Sequence, residues 1–204
     1  MRADREFVTE WSQRYLIKSS LKAREEEEDL LTKVGPAVRQ RGFYTVIELE
    51  RVYRWKLRDQ RNRGRLALNS PAQVKSITKT ALAAPEHLQL YAIQRLHGVG
   101  DAVASALLMF PFPDRHTILD FRAARALEAF AEQGQLPDEL LWRPQPPDST
   151  SRPPYPPYLD ACRRLATHLS VSLRDLDRAL WQWQEERSAA RPRTRSEVGA
   201  SRRR

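Results

Sequence analysis

Leu96-His97-Gly98-Val99-Gly100-Asp101-Ala102-Val103-Ala104 is the stretch whose reading decides the fold. Glycines on either side of Val99 accept left-handed backbone angles and put no side chain between the chain and whatever approaches it. Two helices joined here cross tightly, one closing near Leu96 and the other opening at Asp101. The amides of the turn then face outward together with the positive end of the second helix, which makes a site for one or two phosphate groups. Val99, Val103, Leu107 and Leu108 are the apolar residues that lock the pair together.

Working outward, the helical pattern continues in both directions. Pro85-Glu86 opens the first helix of the pair, with Leu88, Tyr91, Ala92 and Leu96 recurring at three- and four-residue steps as its buried stripe. Ser70-Pro71 is an N-cap with proline in the first turn, and Val74, Ile77, Thr78 and Leu82 follow it. Nearer the start, the spacing predicts a short helix between Glu6 and Ser20. Another covers 20–34, with Leu21, Leu30, Leu31 and Val34 inside and Glu25 to Asp29 solvated, and Gly35-Pro36 marks its boundary. Phe43, Val46, Ile47, Leu49 and Val52 form a further helical run. Beyond the hairpin, helices are expected at 101–110, 120–132, 158–169 and 172–187, the last with Leu173, Leu176, Leu180 and Trp183 on one face, leaving Asp177 and Trp181 for a cleft. Without a strand pair bearing a turn signal, the fold class is all-α: one compact helical domain over 1–187, with a proline-rich connection at 144–157 and a disordered arginine-rich tail at 188–204.

Charge narrows the partners. The formal net charge is +9, but residues 187–204 carry seven arginines against Glu197, so most of the excess sits in a tail that supplies only nonspecific attraction. The second basic concentration runs from Arg51 to Arg65 and interleaves Tyr53 and Trp55 with Arg54, Lys56, Arg58 and Arg61. Cations that neutralise phosphates beside aromatics that stack on bases suit a nucleic-acid surface. A solvated helix face with Tyr53 and Trp55 turned into the core is the competing arrangement. No apolar run is long enough for a membrane span or a leader, so the reading is a cytoplasmic protein, nucleoid-associated if bacterial. A single cysteine, Cys162, excludes an internal disulfide and a four-cysteine iron–sulfur cluster, and it reads as a small buried side chain.

The hairpin, then Pro113, then Thr117-Ile118-Leu119-Asp120-Phe121-Arg122-Ala123-Ala124-Arg125-Ala126-Leu127, together resemble the core of the helix-hairpin-helix DNA glycosylase superfamily, in its adenine-DNA glycosylase and endonuclease III branches. The likeness covers residues 96–127. It implies a double-stranded DNA partner bound through Leu96, His97, Gly98, Val99, Gly100 and Asp101, and Asp120 as the catalytic carboxylate. Such a carboxylate faces the positive charge that develops on the sugar as an N-glycosidic bond breaks. The lysine that strand-cleaving members carry four residues beyond the first glycine is Ala102 here, so the resemblance implies a monofunctional enzyme without Schiff-base lyase activity. It implies no metal and no iron–sulfur cluster, and leaves a place for a monovalent cation at the hairpin. The family's segment for filling the gap left by a flipped base is not recognisable, Asp59-Gln60-Arg61-Asn62 being the nearest stretch.

Two functional readings remain open on the sequence. One is a glycosylase in which Lys56, Arg58 and Arg61 contact DNA, Tyr53, Trp55 or Trp181 stack on the base, and Asp120 serves the sugar. The other is a non-catalytic helix-hairpin-helix DNA-binding protein in which Asp120 only caps a helix. A helical scaffold contacting a protein through its basic tail is a third, though no protein partner is identifiable.

Overall fold

The chain folds into helices alone: in a computed structural model describing residues 2–57, 63–137 and 154–190, no strand occurs among the described residues. Helix α1 (Arg5–Lys18) opens on Asp4, whose carboxylate accepts the Phe7 N–H at 2.8 Å. Helix α2 (Leu21–Asp29), capped by Ser20, runs through a π turn (Leu30–Val34) directly into α3 (Gly35–Arg41). Gly35-Pro36 is therefore a bulge inside a longer helix rather than a boundary. Proline lacks an N–H and its ring collides with the carbonyl four residues back, and widening the turn relieves both problems. Gly35 also meets the chain elsewhere, since a Cβ on it would lie 2.1 Å from the Phe110 carbonyl oxygen.

Helix α4 (Val46–Lys56) starts with a reciprocal cap between Thr45 and Glu48. A short α5 (Arg63–Leu66) precedes α6 (Pro71–Ala83), which has the expected Ser70 cap, here paired with Gln73. Then come α7 (Glu86–Ile93), α8 (Asp101–Met109), α9 (Phe121–Glu132), α10 (Tyr155–Leu169) and α11 (Leu173–Ala190). Helix α8 is the axis of the molecule, with every residue from Ala102 to Met109 buried. Its neighbours are α4 and α7. The Tyr44 hydroxyl donates to the Leu107 carbonyl at 2.8 Å and its amide to Thr78 Oγ1 at 3.0 Å, which fastens the turn before α4 to α6 and α8. At the opposite side α11 lies along α1 and α9, where Phe130 stacks on Trp183 at 4.6 Å and Phe7 meets Phe130 edge-on.

Several expected faces are rotated. On α7 the inward residues are Gln89, Leu90 and Ile93, while Leu88 and Tyr91 are exposed. Apolar residues surround that short helix, so spacing alone cannot select its buried side. Leu21 and Ile47 are exposed for the same reason. Glu27, assigned to a solvated face, is buried against α11, where Arg174 and Arg178 neutralise it. The proline-rich connection ends earlier than expected, because Pro156 and Pro157 occupy the first turn of α10, where a missing N–H costs nothing. At the chain's other end α11 continues past residue 187 to Ala190.

Candidate nucleic-acid interface and carboxylate site

The turn between α7 and α8 has the geometry its glycines suggest, though only one of them needs to be glycine for its backbone angle. Gly98 has φ of +79°, and a Cβ there would come within 3.0 Å of the Leu66 amide nitrogen. Gly100 is extended, with φ of −99°, and has open space where a Cβ would go. The turn is clamped by a residue that the motif does not contain. Asn69 accepts the His97 N–H at 2.8 Å and donates to the His97 carbonyl at 3.0 Å and the Leu66 carbonyl at 2.7 Å. Val99 N–H is also bonded within the turn, to the Leu96 carbonyl. Leu96 and Val99 are buried and contribute packing, so of the hairpin residues assigned to DNA they can offer only backbone. The amides of Gly98, Gly100, Asp101 and Ala102 have no acceptor among the described residues. With the exposed His97 beside them, they form a positively polarised rim, and the Asp101 carboxylate at its edge is bonded to Gln94.

The basic segment reaches this rim. Helix α5 packs under the hairpin so closely that Arg65 Cβ and the Leu66 amide line the space beside Gly98. Arg54, Arg65 and Arg95 are exposed and have no ion-pair partner among the described residues. Arg51 belongs to the acidic helix instead, bonded to Glu26 at 3.0 Å and Asp29 at 2.7 Å. Arg58 and Arg61, both assigned to DNA contact, lie outside the described residues. The open groove beside α2, of about 570 Å³, carries Glu25, Glu26, Glu28 and Asp29 on its walls and would repel phosphate.

Asp120 is joined to the hairpin through Ser105. Its neighbour Leu119 donates its amide to Ser105 Oγ at 2.9 Å, and that hydroxyl donates to the Ala102 carbonyl at 3.1 Å, in the first turn of α8. Asp120 therefore stands about 8 Å along the α8 axis from Gly100, at a rise of about 1.5 Å per residue. Its carboxylate caps α9 by accepting the Arg122 N–H at 2.8 Å, and its other oxygen meets Lys56 Nζ at 2.5 Å. Burial pushes the Asp120 carboxyl upward, but the Lys56 ammonium and the two hydrogen bonds outweigh it and hold the group below the usual carboxylate range. Lys56 was assigned to a phosphate contact, and the structure corrects this. Its side chain is 10% exposed and its ammonium is occupied by Asp120, because α4 presents Lys56 toward α9 rather than toward solvent.

The three aromatics assigned to base stacking fare differently. Tyr53 is fully buried in the core and cannot meet a base, because its place on α4 faces inward with Leu49 and Val52. Trp55 is partly buried, with Phe110 edge-on at 5.0 Å and the Arg174 guanidinium over its ring at 5.3 Å. Trp181 is partly buried too. The Arg122 guanidinium lies over its ring at 5.3 Å, which puts Trp181 beside the start of α9. An aromatic closer to Asp120 escaped the sequence reading: Phe121, at the first position of α9, is 47% exposed, with Arg125 over its ring at 4.7 Å. Its only signal is that it follows the aspartate and falls off the Ala123–Ala124–Leu127 stripe.

Behind the carboxylate lies a buried charge network. Asp177, expected at a cleft, is instead 5% exposed, with one oxygen bonded to Arg174 and the other without a partner among the described residues. Burial pushes its carboxyl up to about 6, with Arg174 and Lys56 pulling it down and Asp120 and Glu27 pushing it further up. His116 is likewise buried rather than solvent-facing. The Tyr155 hydroxyl donates its one proton to the Thr117 carbonyl at 3.0 Å, so His116 Nδ1 at 3.1 Å is the donor to that hydroxyl. The pair fastens the segment before Asp120 to α10. Among the described residues no group of three His, Cys, Asp or Glu side chains forms a metal site, and no described helix is long and apolar enough to cross a membrane. Comparison of the chain with family models, with curated proteins and with solved structures finds no match.

Proposed function

We propose that this protein binds duplex DNA through the 96–101 hairpin and hydrolyses the N-glycosidic bond of a damaged or mispaired base, with Asp120 as the carboxylate that faces the sugar. The observation that carries the reading is the Ser105 bridge, which sets a carboxylate held below the usual range one helical turn from an amide rim suited to phosphate. Phosphate contact at Gly98, Gly100 and the α8 N-terminus fixes the strand without regard to sequence. Exposed Arg54, Arg65 and Arg95 add attraction, and the base must leave the stack to be processed. As the bond to the base lengthens, positive charge grows on the sugar, and the Asp120 carboxylate stabilises it and orients the attacking water. Phe121 is the exposed aromatic nearest that event.

A non-catalytic DNA-binding protein is the second reading, and one observation favours it: both Asp120 oxygens already have partners, in Lys56 and the Arg122 amide. Incubating the full chain with a panel of duplexes bearing single lesions and mismatches, and scoring abasic sites, separates the two. Release of a base from at least one duplex supports the enzyme. Salt-dependent binding to every duplex with no release supports the second reading, and no binding overturns both.

A further inference from the structure

We infer that Lys56 is an amine nucleophile, and that the protein forms an imine with the C1′ aldehyde of a base-free deoxyribose and cleaves the strand beside it. The inference rests on the DNA-binding reading above and goes beyond it, because the hairpin itself carries Ala102 and no amine.

Two observations carry it. First, Lys56 Nζ is 2.5 Å from Asp120 Oδ2. A carboxylate placed to serve C1′ approaches that atom to about 3–3.5 Å, and an amine bonded to the same carboxylate is then within reach of it. Second, the enclosure of this lysine is unusual for the chain. Five of the six lysines are exposed, and Lys56 alone is not. Among the described residues, the other ion pairs with both partners comparably enclosed are made by arginine, from Arg174 and Arg178 to Glu27 and from Arg174 to Asp177. A guanidinium suits a fixed ion pair better than an ammonium does, but it cannot form an imine.

The steps balance without any added reagent. Lys56 Nζ passes a proton to Asp120 and its lone pair attacks C1′ of the ring-opened abasic sugar, giving a carbinolamine. Loss of that oxygen as water, with the Asp120 proton, leaves a cationic imine and a free carboxylate. The carboxylate takes a proton from C2′, the C–H electrons form a double bond, and the bond from C3′ to its phosphate breaks with the electron pair leaving on phosphate. Water then hydrolyses the imine and returns Lys56.

The test uses the full chain and a labelled duplex with one preformed abasic site, so base release is not required. Sodium borohydride reduces the imine to a stable amine. The expected results are a covalent protein–DNA complex, a mapped adduct on the peptide containing Lys56, and loss of trapping in Lys56→Arg, which keeps the charge facing Asp120. Undiminished trapping by folded Lys56→Arg, a mapped adduct only on another amine, or no trapping by a wild-type chain that binds the duplex would each overturn the inference. Trapping by a chain that releases no base from any lesion would uphold it while the hydrolytic reading fails. Base release without trapping would do the reverse.

Discussion

An enclosed carboxylate and ammonium hold each other in place only while both are present, and this governs what substitution does at Asp120. Asn at 120 keeps the cap on Arg122 but leaves Lys56 without its counter-charge. Removing one partner of a buried pair costs about 3–5 kcal/mol, and this partly solvated pair should lose about half of that. Adding Lys56→Met to Asp120→Asn should recover much of the loss, and urea denaturation of the four members of the cycle measures the coupling. Purely additive losses would mean that the pair is not formed in solution. Asn69→Ala, which removes the clamp on His97, should lower stability by about 1–3 kcal/mol and weaken duplex binding in the same protein. Asp120 was legible because its distance from the hairpin and its place before a helix are properties of the local sequence. Lys56 as its partner was not, since the two are separated by 64 residues and only the approach of α4 to α9 brings them together. Asn69 was hidden for the same reason, being a loop residue whose partners belong to the hairpin.

At the scale of the element, the two hairpin glycines should separate stability from binding. Gly98→Ala places a Cβ against the Leu66 amide at positive φ, so it should destabilise the fold by about 1 kcal/mol or more and weaken binding with it. Gly100→Ala meets open space at an extended backbone angle, so its melting temperature should stay close to wild type while duplex affinity falls, the added methyl standing where phosphate approaches. Thermal unfolding and a binding titration on both variants check this, and unchanged affinity in Gly100→Ala would remove that residue from the DNA surface. Helix starts were readable wherever a cap carried them, as at Ser70 and Asp120. Helix faces were readable where one stripe dominated: Leu173, Leu176 and Leu180 on α11 are all buried as spaced. They were not readable on α7, where Leu88, Leu90, Tyr91 and Ile93 surround eight residues, nor on α2, where Glu27 turns inward because distant Arg174 and Arg178 await it.

For the whole molecule, buried His116 predicts how stability changes with pH. Burial holds its imidazole down to about 4 against an ordinary 6.5, so the fold prefers the neutral ring. As pH falls from 6.5 toward 4 the unfolded chain takes the proton first, and stability is lost across that window, by up to about 3 kcal/mol. His116→Gln, which retains a donor for Tyr155, should flatten the dependence there, and chemical denaturation at several pH values reads it. Glu86, held at about 2 by Arg163, acts in a lower window, as pH falls from 4.5. The all-helical class followed from composition and pattern, while the burial of His116 depends on α10 closing over the 113–119 segment, a tertiary event with no local signature. The account's central claim is that Asp120 serves a sugar, and single-turnover base release tests it, comparing wild type with Asp120→Asn on whichever lesion the panel identifies, at a temperature where both are folded. The predicted result is duplex affinity equal to or above wild type with release slowed about a hundredfold or more, and undiminished release by the folded variant would contradict it.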